Sequence, residues 1–224
     1  AAIVFRVRDM LVGQRTQLIN ALRGHAYEFG IVAAQGAGHV AQLVAVLADP
    51  NSAIPQAARP ALTCLCESLH GLEAQIGELD REIARRTKQS PDCKRLQSVP
   101  GVGPVIAAAV AALAPEASSF KCGRDFSAWL GLTPKQHSSG GKERLGKTSK
   151  MGEASLRRLL ILGAASVVNR AVRAGAAPGS WLARMLARKP RMLVIVALAN
   201  KMARIIWALL AKGGVYRVPA AAAA

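Results

Sequence analysis

Two adjacent hydroxyls, Ser138 and Ser139, lie in a stretch crowded with cations. Within Gly131–Lys150 (GLTPKQHSSGGKERLGKTSK) they follow His137 directly, and Lys135, Lys142, Arg144, Lys147 and Lys150 flank them. A serine hydroxyl is a weak nucleophile until a base or nearby positive charge lowers the cost of removing its proton. Attack on a phosphate builds negative charge around phosphorus, and surrounding cations stabilise it. The residue types therefore suit chemistry on a phosphate. Either serine fits that reading. His137 is a candidate general base, against the plainer reading of a surface residue that only hydrogen-bonds.

Something must hold this stretch in place. Pro134 forbids a helix interior, and Ser138-Ser139-Gly140-Gly141 favours turns. The stretch reads as one long functional loop between helical segments. Upstream, Arg124–Gly131 reads as a short helix with Phe126, Trp129 and Leu130 on an apolar side, packing on the turn that precedes it in the chain. Downstream, Glu153–Val172 reads as a strong helix. Leu156, Leu159, Leu160, Gly163 and Val167 form its face, Arg157 and Arg158 begin outside that face, and Thr148-Ser149 is the expected cap. Trp181–Ala187 and Pro190–Lys212 read as two further helices.

Earlier in the chain, Leu96–Ala114 (LQSVPGVGPVIAAAVAALA) reads as a helix-hairpin-helix. Gly101 and Gly103 would let the backbone approach a phosphate, and the next helix would point free N–H groups at it. Val99, Val102 and Val105 would be buried to hold the turn. The competing reading is a tight helix–helix turn without DNA contact. Leu62, Leu65, Leu69, Leu72, Ile76, Leu79 and Ile83 alternate spacings of three and four, a heptad seam over Pro60–Lys88. That coiled coil is expected to pair with the helix Phe5–Phe29 or with a second copy of the chain. His39–Leu47 is a short helix between them. The fold class is mainly all-α: a long coiled-coil helix pair (residues 1–92), a helix-hairpin-helix-containing domain (93–219) and a low-complexity tail (220–224).

Charge points to a partner. The 224 residues carry 30 Lys and Arg against 13 Asp and Glu, a net charge of +17. Residues 159–224 hold 10 basic and no acidic side chains. A polyanion, most simply DNA or RNA, accounts for this better than solubility alone. Cys64, Cys66, Cys93 and Cys122 have no zinc-like pairing. No signal peptide opens the chain. Met192–Leu210 is apolar but contains Lys201 and Arg204, which argues against a membrane span. The expected compartment is the cytoplasm.

Three blocks in order carry a family resemblance: LQSVPGVGPVIAAAV, FSAWLGLTPKQHSSGGKERLGKTSKMG and LRRLLILGA. They resemble the C-terminal domain of bacterial insertion-sequence transposases of the one-ten type, in the eleven-eleven subgroup. The upstream RVRDMLVGQRTQLINALRGHAYEFGIVAAQG is similar to that family's linker region. The resemblance implies DNA transposition, with serine-mediated strand cleavage and joining through a phosphoserine link. The family's serine falls at Ser138 or Ser139, with Ser138 favoured. It further implies an N-terminal ribonuclease-H-like domain with magnesium-binding acidic residues, a dimer or higher oligomer through the coiled coil and, in some members, a structured guide RNA. Asp9, Glu28 and Asp49 lack the strand context and grouping of such an acidic site. The acidic domain is therefore expected to be missing, and no metal or cofactor is expected in this chain. The chain begins at Ala1 without Met and is expected to be a fragment of a longer protein. Expected DNA contacts are Gly101, Gly103, Lys135, Lys142, Arg144, Lys147, Lys150, Arg157 and Arg158. The alternative is a non-catalytic helix-hairpin-helix remnant that holds DNA or RNA, or a decayed reading frame that folds only as a helical scaffold.

Overall fold

A computed structural model describes residues 2–142 and 144–217. The expected tail 220–224 and the last residues of the expected 93–219 domain lie outside the described residues. The protein is mainly α-helical, with a single two-stranded sheet among the described residues. It divides into two compact units, Ile3–Glu82 and the chain from Ile83 onward. The division falls inside a helix, at Ile83, the last residue of the heptad seam.

In the first unit α1 (Ala2–Glu28) and α3 (Arg59–Gln89) are the long elements, with α2 (Val40–Ala48) between them in sequence. The Arg8 guanidinium, near the start of α1, pairs with the Asp80 carboxylate near the end of α3, with Nη2 3.2 Å from Oδ2. Leu22 and Ala26, near the end of α1, cluster with Leu62 and Leu69 near the start of α3. The two helices therefore run antiparallel. Val40, Leu43 and Leu47 of α2, at helical spacing, complete that cluster. On α3 every seventh seam residue, Leu62, Leu69, Ile76 and Ile83, is buried. The intervening Leu65, Leu72 and Leu79 are covered only in part.

The second unit is organised on α9 (Arg191–Lys212). Val194, Ile195, Ala199, Met202, Ala203, Ile206 and Leu209 are buried along it. By length and composition α9 could cross a membrane; here it is the helix on which α4 (Pro91–Leu96), α6 (Gly123–Trp129), α7 (Ala154–Ala174) and α8 (Trp181–Arg188) pack. α6 lies chiefly against α9. Phe120, Phe126 and Trp129 form an aromatic cluster with ring centroids 5.2 to 5.8 Å apart, Phe126 stacked on Trp129 and Phe120 edge-on to Phe126.

Sequence reading left α4 unassigned, although its start is well marked. Ser90 accepts a hydrogen bond from the Cys93 N–H at 3.3 Å, and Pro91 occupies the first helical position, where a missing N–H costs nothing. A turn through Gly101 then leads into α5 (Pro104–Leu113). Val99 and Val102 are buried in that turn, while Ile106 takes the deep position expected for Val105, which is half-exposed. Gly101 has φ +87°, and a Cβ there would lie 2.7 Å from the Gly163 carbonyl oxygen of α7. A Cβ at Gly163 would lie 2.3 Å from the Gly101 oxygen. Two glycines let the turn and α7 cross at backbone contact. The α7 cap differs from expectation: Glu153 accepts the Ser155 N–H at 3.1 Å, while Thr148 belongs to a strand. A carboxylate suits that position because it faces the positive end of the helix dipole.

Candidate active site

The stretch expected as a long loop is largely a β-hairpin. Strand β1 (Pro134–Gln136) pairs antiparallel with β2 (Leu145–Thr148), with a register irregularity between Pro134 and Gln136. Beyond them Ser139 pairs with Lys142, whose N–H donates to the Ser139 carbonyl at 3.1 Å. Gly140 (φ +57°) and Gly141 (φ +78°) fill the two tip positions. A two-residue hairpin turn that matches strand twist needs positive φ at both, which explains the glycine pair.

The stem is fixed by backbone crossing, since the strands bury little. Gly131 has φ +69°, and a Cβ there would meet the Met151 oxygen at 2.2 Å. Gly152 has φ +72°, and its Cβ would meet the Trp129 oxygen at 1.7 Å. Only glycine permits either approach. The Lys150 N–H donates to the Gly131 carbonyl at 3.1 Å, and the Ser149 N–H to the Thr133 carbonyl at 2.9 Å. Arg157, at the start of α7, donates through Nη1 to the Leu130 carbonyl at 3.1 Å and the Met151 carbonyl at 2.8 Å. Arg157 thus ties both legs of the stem together; its Nη1 is spent inside the protein. The Asn200 side chain of α9 donates to the Leu132 carbonyl at 3.1 Å, which anchors the same base to the core helix.

The two serines differ at the tip. The Ser138 Oγ accepts the Arg144 N–H at 3.0 Å and the Gln136 Nε2–H at 3.1 Å. Donors aimed at a hydroxyl oxygen favour its ionised form. Ser139 contributes its carbonyl to the turn, and among the described residues its hydroxyl has no hydrogen bond. The His137 backbone N–H donates to the Arg144 carbonyl at 2.8 Å. Its ring lies across Gly146: a Cβ there would fall 2.6 Å from His137 Cδ2. Among the described residues that ring hydrogen-bonds to neither serine.

Lys135, Lys142, Arg144, Lys147 and Lys150 are all exposed on this one hairpin. Arg158 is exposed on α7. Gly101 and Gly103 lie apart, in the α4–α5 turn, which meets α7 at Gly163, about 9 Å along the helix from Arg157 at 1.5 Å per residue. Gly101 turns its open side to α7, whereas a Cβ at Gly103 would meet nothing within 4 Å. Among the described residues no three His, Cys, Asp or Glu side chains group as a metal site. The magnesium implied by the resemblance has no ligand set in them.

Sequence reasoning missed Gln136, the Gly131–Gly152 crossing and the Arg157 clamp. The glycines were visible as residues, but nothing local shows which backbone each one faces.

A helical core thus holds out a cationic hairpin with two serines near its tip. Comparison with known proteins makes the class specific. Residues 93–177 match the family model described as Transposase IS116/IS110/IS902 family. A Pseudomonas aeruginosa protein named "Probable family 20 transposase" is 45% identical over 214 residues, 95% of this chain and 63% of the relative. The transposase for insertion sequence element IS1111A of Coxiella burnetii is 38% identical over 215 residues, 96% of this chain and 59% of the relative. The transposase for insertion sequence element IS1328 of Yersinia enterocolitica is 34% identical over 211 residues, 94% and 63% respectively. Residues 93–177 thus carry the domain of the IS116/IS110/IS902 family of transposases, and most of the chain is 34–45% identical to these three relatives. It spans about 59–63% of the length of these three relatives.

Proposed function

We propose that this chain is the serine-bearing part of a DNA transposase and that Ser138 is its nucleophile. The observation that carries the reading is the pair of donors on the Ser138 oxygen, at 3.0 and 3.1 Å, at the tip of an exposed hairpin bearing five cations. Ser138 Oγ attacks the phosphorus of a DNA phosphodiester. An Oγ–P bond forms, the bond from phosphorus to one deoxyribose oxygen breaks, and the serine proton ends on that leaving oxygen. Rejoining reverses the exchange with a different deoxyribose hydroxyl. Lys142, Arg144 and their neighbours neutralise charge on the phosphate as it develops. Arg157 positions the hairpin. Gly103, at the open start of α5, is the place in the α4–α5 turn where a second phosphate can approach the backbone. DNA is the substrate on this reading. Acidic magnesium ligands and a second protomer belong to the assembly in which it acts, joined in some members of the family by a structured guide RNA.

The test is an adduct assay. The chain, alone and within the longer protein, is incubated with element-end DNA, and detergent-resistant protein–DNA products are resolved. Ser138→Ala abolishes the adduct and Ser139→Ala retains it. An adduct that survives Ser138→Ala and disappears in Ser139→Ala moves the nucleophile by one residue. Wild-type longer protein that forms no adduct refutes the serine mechanism and leaves a DNA-holding module.

A further inference from the structure

Away from the hairpin, two cavities of about 770 and 790 Å³ adjoin each other in the second unit. They share Trp181 of α8 and Lys201 and Ile205 of α9. The first is also lined by Arg124, Arg204 and Trp207, the second by Arg170, Arg184 and a largely apolar wall of α7 and α9. No Asp or Glu lines either one. Five cations thus flank an apolar trough with an indole at its middle, and the Lys201 ammonium lies 4.7 Å from the Trp181 ring centroid. Neither the hairpin nor the α4–α5 turn explains this arrangement.

The chemistry that fits is a strand with alternating flat apolar faces and negative charges. An aromatic platform between cations is how unpaired nucleic acid is held, because every base offers a π face whatever its identity. A duplex offers none, since its bases are stacked on one another. Three neutral polar side chains of the lining are already engaged within the protein. Asn200 Nδ2 donates to the Leu132 carbonyl at 3.1 Å, Ser180 Oγ accepts the Ala183 N–H at 3.1 Å, and Trp207 Nε1 donates to the Ala117 carbonyl at 3.1 Å. The wall itself is apolar, which suits a deoxyribose better than a ribose 2′-hydroxyl that needs a polar partner. We propose that this trough binds an unpaired DNA strand, with a base stacked on Trp181 and flanking phosphates paired with Arg170 and Arg184 on one side and Arg124 and Arg204 on the other. The proposal rests on the DNA reading above and adds to it a site for the strand that cutting sets free.

The experiment uses the full chain with a labelled 20-residue oligo(dT), a 20-base-pair duplex and a 20-residue oligo(rU), read by anisotropy. Trp181→Ala weakens oligo(dT) binding by about tenfold or more, the scale of one lost stack, and changes duplex binding less than about twofold. Trp181→Phe keeps most of the affinity. Arg170→Gln with Arg184→Gln lowers the salt slope for oligo(dT) by about 1.4, at about 0.7 per phosphate contact. Should Trp181→Ala fail to fold, the phenylalanine variant and the arginine pair carry the test. Equal losses on duplex and single strand, or no loss on either, overturn the proposal. Tighter Trp181-dependent binding of oligo(rU) than of oligo(dT) overturns the assignment to DNA. Adduct formation through Ser138 is scored on the same preparations. An adduct without Trp181-dependent strand binding overturns the trough alone; strand binding without an adduct overturns the nucleophile alone.

Discussion

Glycine 163 provides a test with a definite sign. It lies inside α7, and in an unobstructed helix Gly→Ala is stabilising by about 1 kcal/mol. Here the new methyl would sit 2.3 Å from the Gly101 oxygen and 2.8 Å from Ile106 Cδ1. The first of these is backbone and cannot rotate away, so the α4–α5 turn must lift off α7. Overpacking of this kind costs about 3 kcal/mol at the upper end of its usual range, which leaves a net loss of about 2 kcal/mol. For a unit of this size that is a fall in Tm of roughly 8 °C. Trp129, Trp181 and Trp207 all follow Ile83, so indole emission follows the unfolding of the second unit alone. The matched control is Gly71→Ala on α3, where the added methyl meets nothing within 4 Å. It is expected to raise stability by about 1 kcal/mol, read by far-UV circular dichroism. If Gly163→Ala stabilises as Gly71→Ala does, the close crossing of Gly101 and Gly163 is wrong. The same geometry shows why Gly101 is a poor probe of DNA contact: substitution there strains the backbone and displaces α7, so a lost affinity has two explanations. Gly103, with open space at its Cα, is the clean position.

Three further perturbations follow from the second unit and from α3. Ser127 is fully buried, and its hydroxyl has no hydrogen-bond partner among the described residues; Ser127→Ala is expected to stabilise by about 1 kcal/mol in urea titration, because an unsatisfied buried hydroxyl is removed. Arg157→Gln loses the link between the Leu130 and Met151 carbonyls and is expected to cost about 1–2 kcal/mol. Its local sign is faster amide exchange at Ser149 and Lys150, and unchanged exchange there would refute the clamp. Burial raises the Cys66 thiol above its ordinary value of 9.0, while Cys64 is exposed. A thiol reagent at pH 8 should label Cys64 ahead of Cys66. The unfolded chain ionises Cys66 at lower pH than the folded one, so this contribution to stability is present below about pH 9 and lost as pH rises through the raised folded value.

Apart from α4, the helices were legible because each declares itself locally. The heptad spacing on α3, the apolar faces of α7 and α9 and the Gly-Gly break after α9 are patterns within one segment. The hairpin was not. PKQ and LGKT are short, polar and without alternation, and two such strands are marginal alone in water. They pair because Gly131 and Gly152 bring the two legs together, and the backbones those glycines face (Met151 and Trp129) are contacts fixed only by the folded chain. The serines and cations were legible as chemistry, since residue type suffices for that. The contacts that distinguish Ser138 from Ser139 were not, because Gln136 and the Arg144 N–H reach the Ser138 oxygen only through the strand register. Trp181 read only as the start of a short helix; its place between two cavities depends on α9, whose Lys201 lies 20 residues further along.

The hairpin's stability and its charge pull in opposite directions. Lys135, Lys142, Arg144, Lys147 and Lys150 share a small exposed element and repel one another, and its strands bury little apolar surface to offset that. The glycine crossings and the Arg157 clamp act at the stem, and the cations nearer the tip have no side-chain partner among the described residues. A bound polyanion relieves the repulsion and so stabilises the paired form in which Ser138 Oγ meets its two donors. On the proposed reading, phosphate binding and alignment of Ser138 are then the same event in this hairpin. That coupling would order a serine whose one side-chain partner among the described residues is Gln136 mainly when its substrate is present.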